Sequence, residues 1–433
     1  MNVVAIRTKD GELVVNGYVD PSDNTKGDVV HHYDFLDELN VEAIASASYH
    51  EHGTVRSKAT VAKGHIVIES NAAINNVIVP KTATANSVSI TVSERAEIQS
   101  VIDYSNGGIN TEETVIPETV PTIAAETGKV AYVKSTNTDY ETFGAAYAAT
   151  GNDDLIILLD DVAVDSNNTG YDVLINKSLR IDGNGYKMTS SRARAGSGNT
   201  SSRIFQVENL NNNNYINVTF ENIKLNVNAK TNVFVSPYSQ YINMVLENCN
   251  FSSADYPINV RHSSQFINID IRDGSYIKGW CALNFYGSLS TLKVTDSTLH
   301  GYNQQKGTSN DYSVIVLDGG EYWGEVAEGS ARANTIDIQN STLIAEVKDG
   351  CQEEYWISFQ YGSSQNAQVT LKDTKILDKV DGHDKTAVVN FSSANTGDSF
   401  TMVLTNEQVS ALIAKGLTVT PNSDGTSTVR YLA

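Results

Sequence analysis

The chain has 433 residues, which is enough for two or three domains and a large buried core. Aspartate and glutamate outnumber lysine and arginine by 51 to 31, so the formal net charge is -20. A chain this acidic repels phosphate groups at long range, which makes nucleic acid and anionic membrane surfaces poor partners. Hydrophobic residues make up 40% of the chain, which excludes disorder, and no apolar run is long enough for membrane insertion.

Residues 1–108 are predicted to form a small, separate β-rich domain for attachment or assembly. Short apolar runs place Ile68, Val79, Ile90 and Val101 at intervals of 11 residues. This spacing indicates a short solenoid with two faces.

Four of the eight histidines fall in one short stretch of this region, at His31, His32, His50 and His52. On a strand, His50 and His52 would point to one face, and three chains around an axis could then supply six ligands to one metal ion. Exposed polar histidine is the simpler interpretation. The sequence therefore predicts no metal and no cofactor, with His50 and His52 as a weak candidate pair.

Residues 109–127 contain two prolines with several threonines and glutamates, and they are predicted to form a linker or a crossing strand. The next segment, from Asp139 to Thr150, places its apolar residues on one helical face and is followed by Gly151. It predicts a short amphipathic helix that ends at this glycine.

The strongest pattern in the chain is a repeat of an apolar residue, any residue, Asn or Asp, two residues, and an apolar residue. Its Asn and Asp positions are Asn222, Asn248, Asp273, Asp296, Asn340 and Asp373. The intervals between them are 26, 25, 23, 44 and 33 residues. We interpret the first three as one solenoid coil each, 44 as about two coils, and 33 as one coil with a long loop.

Backbone geometry explains the residue type in this repeat. A sharp corner between two strands requires one residue in the left-handed conformation, which Asn and Asp tolerate best after Gly. On successive coils these side chains can hydrogen-bond in a ladder, while the flanking apolar residues stack into a core. A β-sandwich would require hairpin signals every 8–12 residues and no single motif at a fixed period.

The last residues predict a C-terminal cap, residues 405–433. Thr405 is a suitable N-cap for a helix from Asn406 to Lys415, which Gly416 would end. The sequence 417–429 then predicts a hairpin with a Ser-Asp-Gly turn. Together the helix and hairpin would close the end of a solenoid.

Residues 128–404 resemble the right-handed parallel β-helix of the pectate-lyase-like superfamily. The resemblance lies in the repeat and in Tyr140–Ala146 followed by Gly151–Leu158, which are similar to the capping helix and first strand of such solenoids. It implies an all-β fold: a right-handed parallel β-helix with a small N-terminal β domain and capping helices. It is specific for fold and not for activity.

Enzymes of that superfamily carry characteristic sets of acidic and basic catalytic residues. We find no complete set of this kind in the sequence, so no catalytic residue is predicted. Asp270 and Asp273 with Arg272 or Arg261 only partly match the calcium site of the lyases. Paired carboxylates for glycoside hydrolysis could come from Asp318, Glu321, Glu325, Glu353 and Glu354. Solvated charge is the simpler interpretation of these five.

Aromatic residues concentrate between positions 280 and 361. They are Trp280, Tyr286, Tyr302, Tyr312, Tyr322, Trp323, Tyr355, Trp356 and Tyr361. Planar rings beside polar residues are typical of sugar-binding grooves, and adjacent aromatic residues on a strand point to opposite faces. The pattern predicts a glycan or partner site, with core packing as the alternative.

Three hypotheses of function follow. The first is a bacteriophage virion protein (a fibre, tailspike or capsid appendage) that binds a surface polysaccharide and assembles with other virion proteins or its own chain, as in a trimer. The second is a secreted or cell-surface bacterial adhesin, and the third a polysaccharide lyase or glycoside hydrolase. The cysteines Cys249, Cys281 and Cys351 lack disulfide spacing, and the sequence as written shows no signal peptide, which favours the virion.

Overall fold

The fold is almost wholly β, with strands in parallel sheets and a solenoid-like arrangement. This computed structural model describes residues 2–8, 11–105, 107–125, 128–192, 202–210, 213–261, 263–285, 287–303, 313–318, 334–348, 355–360, 367–380, 383–385, 391–393, 399–410 and 417–432. The chain divides into two compact units. The first comprises Met1–Glu141, Ile157–Asp160 and Asn184–Tyr186, and the second comprises Thr142–Ile156, Asp161–Gly183 and Lys187–Ala433.

The strands up to residue 140 are short and mostly parallel. They are β1 Val3–Thr8, β2 Glu12–Asn16, β3 Val19–Asp20, β4 Asp23–Gly27, β5 Val29–Ala43, β6 Tyr49–Glu51, β7 Thr54–Val61, β8 Gly64–Ile68, β9 Ala73–Val79, β10 Val88–Val92, β11 Glu97–Asp103, β12 Thr122–Ala124, β13 Ala131–Val133 and β14 Thr138–Tyr140.

Successive strands of the first unit alternate between two stacks. Strands β6, β8 and β10 form one stack, β7, β9, β11 and β12 form the other, and the long β5 joins both. Glu51 pairs with Ile68, and Ile68 pairs with Val92, so these successive coils take 17 and 24 residues. The apolar spacing of 11 therefore steps between stacks, and Ile68, Val79, Ile90 and Val101 are all fully buried in the core between them.

Residues 109–124 continue both stacks. Ile109 and Val115 form parallel bridges to Val88 and Thr91, and β12 pairs with β11. The backbone groups of residues 109–124 thus pair with the edges of β10 and β11, which would otherwise stay unpaired.

The later elements repeat in groups of three strands. They are α1 Phe143–Ala149, β15 Asp154–Leu158, β16 Val162–Ala163, β17 Tyr171–Ile175, β18 Leu179–Asp182, β19 Lys187–Thr189, β20 Arg203–Val207, β21 Ile216–Glu221, β22 Lys224–Asn226, β23 Thr231–Val235, β24 Gln240–Glu247, β25 Asn250–Ser252, β26 Ile258–Val260, β27 Gln265–Arg272, β28 Tyr276–Gly279, β29 Leu283–Phe285 and β30 Thr291–Thr295. They continue with β31 Thr298–Asn303, β32 Ser313–Asp318, β33 Thr335–Gln339, β34 Thr342–Val347, β35 Tyr355–Gln360, β36 Ala367–Lys372, β37 Lys375–Val380, β38 His383–Lys385, β39 Phe391–Ser393, β40 Ser399–Thr405, α2 Asn406–Ser410, β41 Leu417–Pro421 and β42 Thr426–Leu432.

Each coil of the second unit gives one strand to each of three parallel sheets. Sheet I contains β18, β21, β24, β27, β30, β33, β36 and β40, sheet II contains β19, β22, β25, β28, β31, β34 and β37, and sheet III contains β17, β20, β23, β26, β29, β32, β35 and β39. Alternation sets the core: Ile242, Met244 and Leu246 of β24 are buried, while the residues between them are partly exposed.

The six Asn and Asp residues of the repeat occupy the corner between sheets I and II. All have left-handed backbones, with φ between 46° and 55°. Asn248 donates from Nδ2 to Oδ1 of Asn222 at 2.8 Å, and Asn222 donates to Asp182 at 3.0 Å. Farther along, Asn340 donates to Asp296. The side chains therefore form hydrogen-bonded steps from coil to coil.

The prediction that 44 residues span two coils was wrong. Val294 and Ile338 pair directly, so Asp296 and Asn340 belong to neighbouring coils. The interval is long because the connections between β31, β32 and β33 are longer than those of the coil before them.

The first helix is shorter than predicted. Helix α1 begins at Phe143, with Thr142 as its N-cap, because Asp139 and Tyr140 pair in the antiparallel β13–β14 hairpin. In α2, Thr405 and Gln408 bond reciprocally, side chain to backbone, in a capping box. The predicted end of that helix, residues 411–416, lies outside the described residues.

The predicted C-terminal hairpin is confirmed, with β41 antiparallel to β42 and Gly425 at φ 83° in its turn. Strand β42 also pairs antiparallel with β40, which ends the parallel stacking of sheet I. In the part of the chain that the structure describes, no helix has the length and apolar character needed to cross a bilayer.

Candidate functional site

The predicted aromatic site is largely buried or lies outside the described residues. Trp356 is 1% exposed and Trp280, which stacks against Tyr256, is 9% exposed, so neither ring is available to a ligand. Alternation along a strand predicted that one of two adjacent aromatic residues would be exposed. That prediction does not hold in sheet III, which contains Trp356, because strands of this sheet such as β23 and β29 are buried on both faces. Tyr286, Tyr312, Tyr322, Trp323 and Tyr361 lie outside the described residues, as does the side chain of Tyr355.

Tyr302 is partly exposed and belongs to a polar cluster on the outer face of sheet II. The imidazole of His300 lies 2.6 Å from the Tyr276 hydroxyl through Nδ1 and 2.6 Å from Glu346 through Nε2. Lys278 lies over the Tyr302 ring, 5.1 Å from its centre. Burial lowers the pKa of His300 to about 4, so the neutral ring accepts from Tyr276 and donates to Glu346. His300 is only 4% exposed. Its hydrogen bonds to Tyr276 and Glu346 therefore link three successive coils in a buried position.

Asp270 and Asp273, which partly match a calcium site in the sequence, both contact an arginine in the structure. Arg272 contacts Asp270 at 3.5 Å and Asp273 at 3.4 Å, and Asp273 is one of the corner residues. Glu321, Glu325, Glu353 and Glu354 lie outside the described residues, as does the Asp318 side chain. Among the residues that the structure does describe, no group of three His, Cys, Asp or Glu is arranged to hold a metal ion.

Three histidines of the first unit, His31, His50 and His52, contact one another. His31 stacks on His50 with ring centres 4.5 Å apart, and its Nδ1 lies 3.0 Å from Nε2 of His52. Nδ1 of His50 bonds Glu69 at 2.8 Å. Burial, followed by the neighbouring imidazoles, lowers the pKa of His31.

A different set of aromatic rings is exposed at the start of the sheet I strands. Tyr215 meets Tyr241 edge to face at 5.4 Å between ring centres, and Tyr241 stacks on Phe266 at 4.9 Å with an interplanar angle of 10°. Tyr215 is 42% exposed, and the next coil continues the row with Leu289, 39% exposed. We call Tyr215, Tyr241, Phe266 and Leu289 the aromatic stripe.

Backbone conformation directs this stripe outward. Tyr241, Phe266 and Leu289 have φ of 56°, 55° and 52°, values that bulky side chains rarely adopt. Each directly precedes the inward-pointing residues of its strand. The Asn209 side chain holds the first of these bends by donating to the carbonyls of Gln240 and Tyr241 at 2.7 and 3.0 Å. Strain repeated on three coils is typical of a functional surface.

An amide row runs beside the aromatic stripe, two residues farther along each strand. Asn268 donates to Asn243, and Asn243 donates to Asn217, both at 2.9 Å. Asn217 is exposed and the other two are partly exposed. We call Asn217, Asn243 and Asn268 the asparagine stripe. Within the row Asn268 donates, Asn243 donates and accepts, and Asn217 accepts, so each carboxamide retains further bonding capacity.

Charged residues follow at the far end of the same strands. Glu221, Glu247 and Arg272 are neighbours in register, and Arg272 contacts Glu247 at 2.7 Å. Arg180 contacts Glu221 at 2.6 Å. Burial, reinforced by Asp182 and opposed by Arg180, raises the pKa of Glu221 to about 8.

The sequence contains a signal for the stripes, although the predicted aromatic site did not include it. Tyr-Ile-Asn occurs at 215–217 and 241–243, and Phe-Ile-Asn occurs at 266–268. Each aromatic residue precedes its corner Asn or Asp by seven residues, as Leu289 precedes Asp296. Aligning the chain on the corner residues would have placed these rings in one row.

A scan against protein-family models, a search of curated proteins and a search of solved structures each found no match to this chain.

Proposed function

We propose that the second unit is a right-handed parallel β-helix whose outer surface binds a polysaccharide. The handedness is supported by the parallel register of its three sheets, because crossover connections between parallel strands are right-handed in about 98% of cases.

The observation that carries the binding proposal is the pair of stripes on sheet I. Aromatic rings offer apolar surface to the C–H groups of pyranose sugars, and tyrosine hydroxyls and carboxamides can bond the sugar hydroxyl groups. Three rings and three asparagines lie side by side on the same three strands, partly or fully exposed. Neighbouring strands lie about 4.8 Å apart, a spacing similar to the length of one sugar unit.

We further propose that the protein is a bacteriophage virion component, a fibre, spike or capsid appendage. Cys249 is a free, buried thiol, which favours synthesis in a reducing compartment over secretion. The first unit would serve attachment to other virion proteins, and we expect a homo-oligomer such as a trimer.

Glycan binding by the full chain tests the first proposal. Native protein, Tyr241→Ala and the double variant Tyr241→Ala/Phe266→Ala would be compared on immobilised polysaccharides. With about 1 kcal/mol for the sugar contact of each ring, we expect Kd to rise about fivefold for the single and about thirtyfold for the double variant. Tyr18→Ala is the matched control, since Tyr18 is 55% exposed in the first unit. Equal binding by all four proteins would refute the site.

Location tests the second proposal. Antiserum against the chain should detect it in phage particles sedimented from a lysate of the source bacterium. Light scattering of the purified protein should show an oligomer. Labelling of intact cell surfaces without label on particles would instead support the adhesin.

A further inference from the structure

We infer that the first unit binds a second copy of this chain edge to edge, with β1 of each copy antiparallel to β2 of the other. This contact has two-fold symmetry, because the same pairing occurs twice. It rests on the proposed homo-oligomer and is independent of glycan binding.

Strands β1 and β2 form one edge of the first unit, which we call the open edge. Each strand pairs in parallel with β5 on one side. Among the residues that the structure describes, neither strand pairs with another on its other side. Such an edge presents backbone donors and acceptors to a strand of another chain.

Exposed apolar side chains accompany the open edge. Val3 is 67% exposed, Val4 is 43% exposed and Val14 is 51% exposed. Each strand carries a single charge, Arg7 on β1 and Glu12 on β2, and neither contains proline. The strands thus lack the clustered charges and prolines with which edge strands commonly avoid pairing, and pairing would bury the valines.

The hydrogen bonds to β5 show which backbone groups point to the open edge. The carbonyl of Asn2 accepts from Val29, and the carbonyl of Gly11 accepts from Asp37. Since successive residues direct their backbone groups to opposite sides of a strand, β5 bonds the even-numbered residues of β1 and the odd-numbered residues of β2. The N–H and C=O groups at the open edge are therefore those of Val3, Ala5 and Arg7 in β1 and of Glu12, Val14 and Asn16 in β2.

One antiparallel register pairs all six of these residues. It places Ala5 opposite Val14 of the second copy, and the resulting hydrogen-bonded pairs are Val3 with Asn16, Ala5 with Val14 and Arg7 with Glu12. An antiparallel hydrogen-bonded pair exchanges two bonds. The two-fold contact would therefore contain about twelve backbone hydrogen bonds.

The core-side residues agree with this register. Ile6 and Leu13 pack against the core of the first unit, and Val15 is buried in it. In the inferred pairing Ile6 lies beside Leu13 of the second copy, and Val4 lies beside Val15, so the two cores become continuous. A shift by one residue would place core-side residues opposite outward ones.

Charge favours pairing of β1 with β2 over pairing of like strands. The Arg7 side chain is 71% exposed and contacts Asp34 through Nη1 at 3.3 Å. In the inferred register its guanidinium also meets Glu12 of the second copy, and opposite charges at such positions stabilise an antiparallel pair. Pairing of β1 with β1 would instead place Arg7 opposite an uncharged residue or opposite another Arg7.

Engineered cysteines test the register in the full chain. The Cα atoms of an antiparallel hydrogen-bonded pair lie about 5.5 Å apart, within the range of disulfides. After oxidation, we expect Ala5→Cys/Val14→Cys to migrate as a covalent dimer on a non-reducing gel, while native protein and the two single variants stay monomeric. A covalent dimer of Ala5→Cys alone would show that β1 pairs with β1 and would overturn the inference, as would the absence of any covalent dimer.

Charge reversal tests the contact without a covalent bond. Sedimentation equilibrium of the native chain should show an even number of chains. Arg7→Glu and Glu12→Arg should each raise the dissociation constant of the pair about tenfold, because like charges then meet twice, and the combined variant should restore it to within about twofold. Glu97→Arg is the matched control, since Glu97 is exposed on β11, and it should leave association unchanged.

The outcomes separate this contact from the proposed function. A native trimer whose mass the reversals leave unchanged would overturn the edge contact and leave the homo-oligomer intact. A native monomer would overturn both, while glycan binding would be judged by its own variants. Weaker association of the combined variant than of either single variant would also overturn the pairing of Arg7 with Glu12. Unchanged circular dichroism and thermal midpoint would show that each variant is folded.

Discussion

Replacing Asn248 tests whether the corner ladder stabilises the solenoid. Asn248 has φ 49°, and its Nδ2 donates to Asn222 Oδ1 at 2.8 Å. Alanine would lose the side-chain hydrogen bond and would also have to adopt a left-handed backbone. Glycine would lose the same hydrogen bond but adopts that backbone freely.

The two contributions are similar in size. The lost hydrogen bond is worth about 1 kcal/mol, and holding alanine in the left-handed region costs about another 1 kcal/mol. Asn248→Ala should therefore lower the free energy of unfolding by about 2 kcal/mol, and Asn248→Gly by about 1 kcal/mol. The difference between the variants isolates the backbone contribution.

Urea unfolding of the full chain measures these free energies, and hydrogen exchange of peptides covering β24 and β25 locates the loss. Asn250→Ala is the matched control, because Asn250 is exposed two residues farther along, and we expect a change below about 0.5 kcal/mol. Equal destabilisation by alanine and glycine would refute the conformational argument. Equal destabilisation by Asn250→Ala would show that the ladder has no special role.

Three further predictions concern the second unit. Phe220→Ala should destabilise by about 4 kcal/mol in urea unfolding because the ring is fully buried, whereas Val419→Ala, 43% exposed, should cost less than about 0.5 kcal/mol. Burial raises the pKa of Glu221 to about 8, so the native state binds this proton more tightly than the unfolded chain does. The free energy of unfolding should therefore fall as the pH rises from about 4.5 to about 8. A free energy that does not change with pH, or a pH dependence that Glu221→Gln leaves unchanged, would contradict this. Burial also raises the pKa of the Cys249 thiol, and Cys281 is buried too, so peptide mapping should find both unlabelled by maleimide until urea unfolds the protein.

Local backbone chemistry made the corners and chain ends predictable. Asn248 and its counterparts are recognisable because the left-handed conformation is a property of one residue and its neighbours. The capping box at Thr405 and the hairpin turn at Gly425 are likewise encoded within a few residues. Intervals were a poorer guide, since 44 residues between Asp296 and Asn340 measure the length of the connections and not the number of coils.

Exposure of the aromatic residues was decided by tertiary structure. Trp356 is buried because its strand lies in a sheet covered on both faces, a fact that alternation along one strand does not contain. Tyr241 and Phe266 become neighbours only because hydrogen bonds between coils align residues 25 positions apart. The amino-acid sequence thus determined where the chain turns and which residues form its core, while the register between coils decided which side chains share a surface.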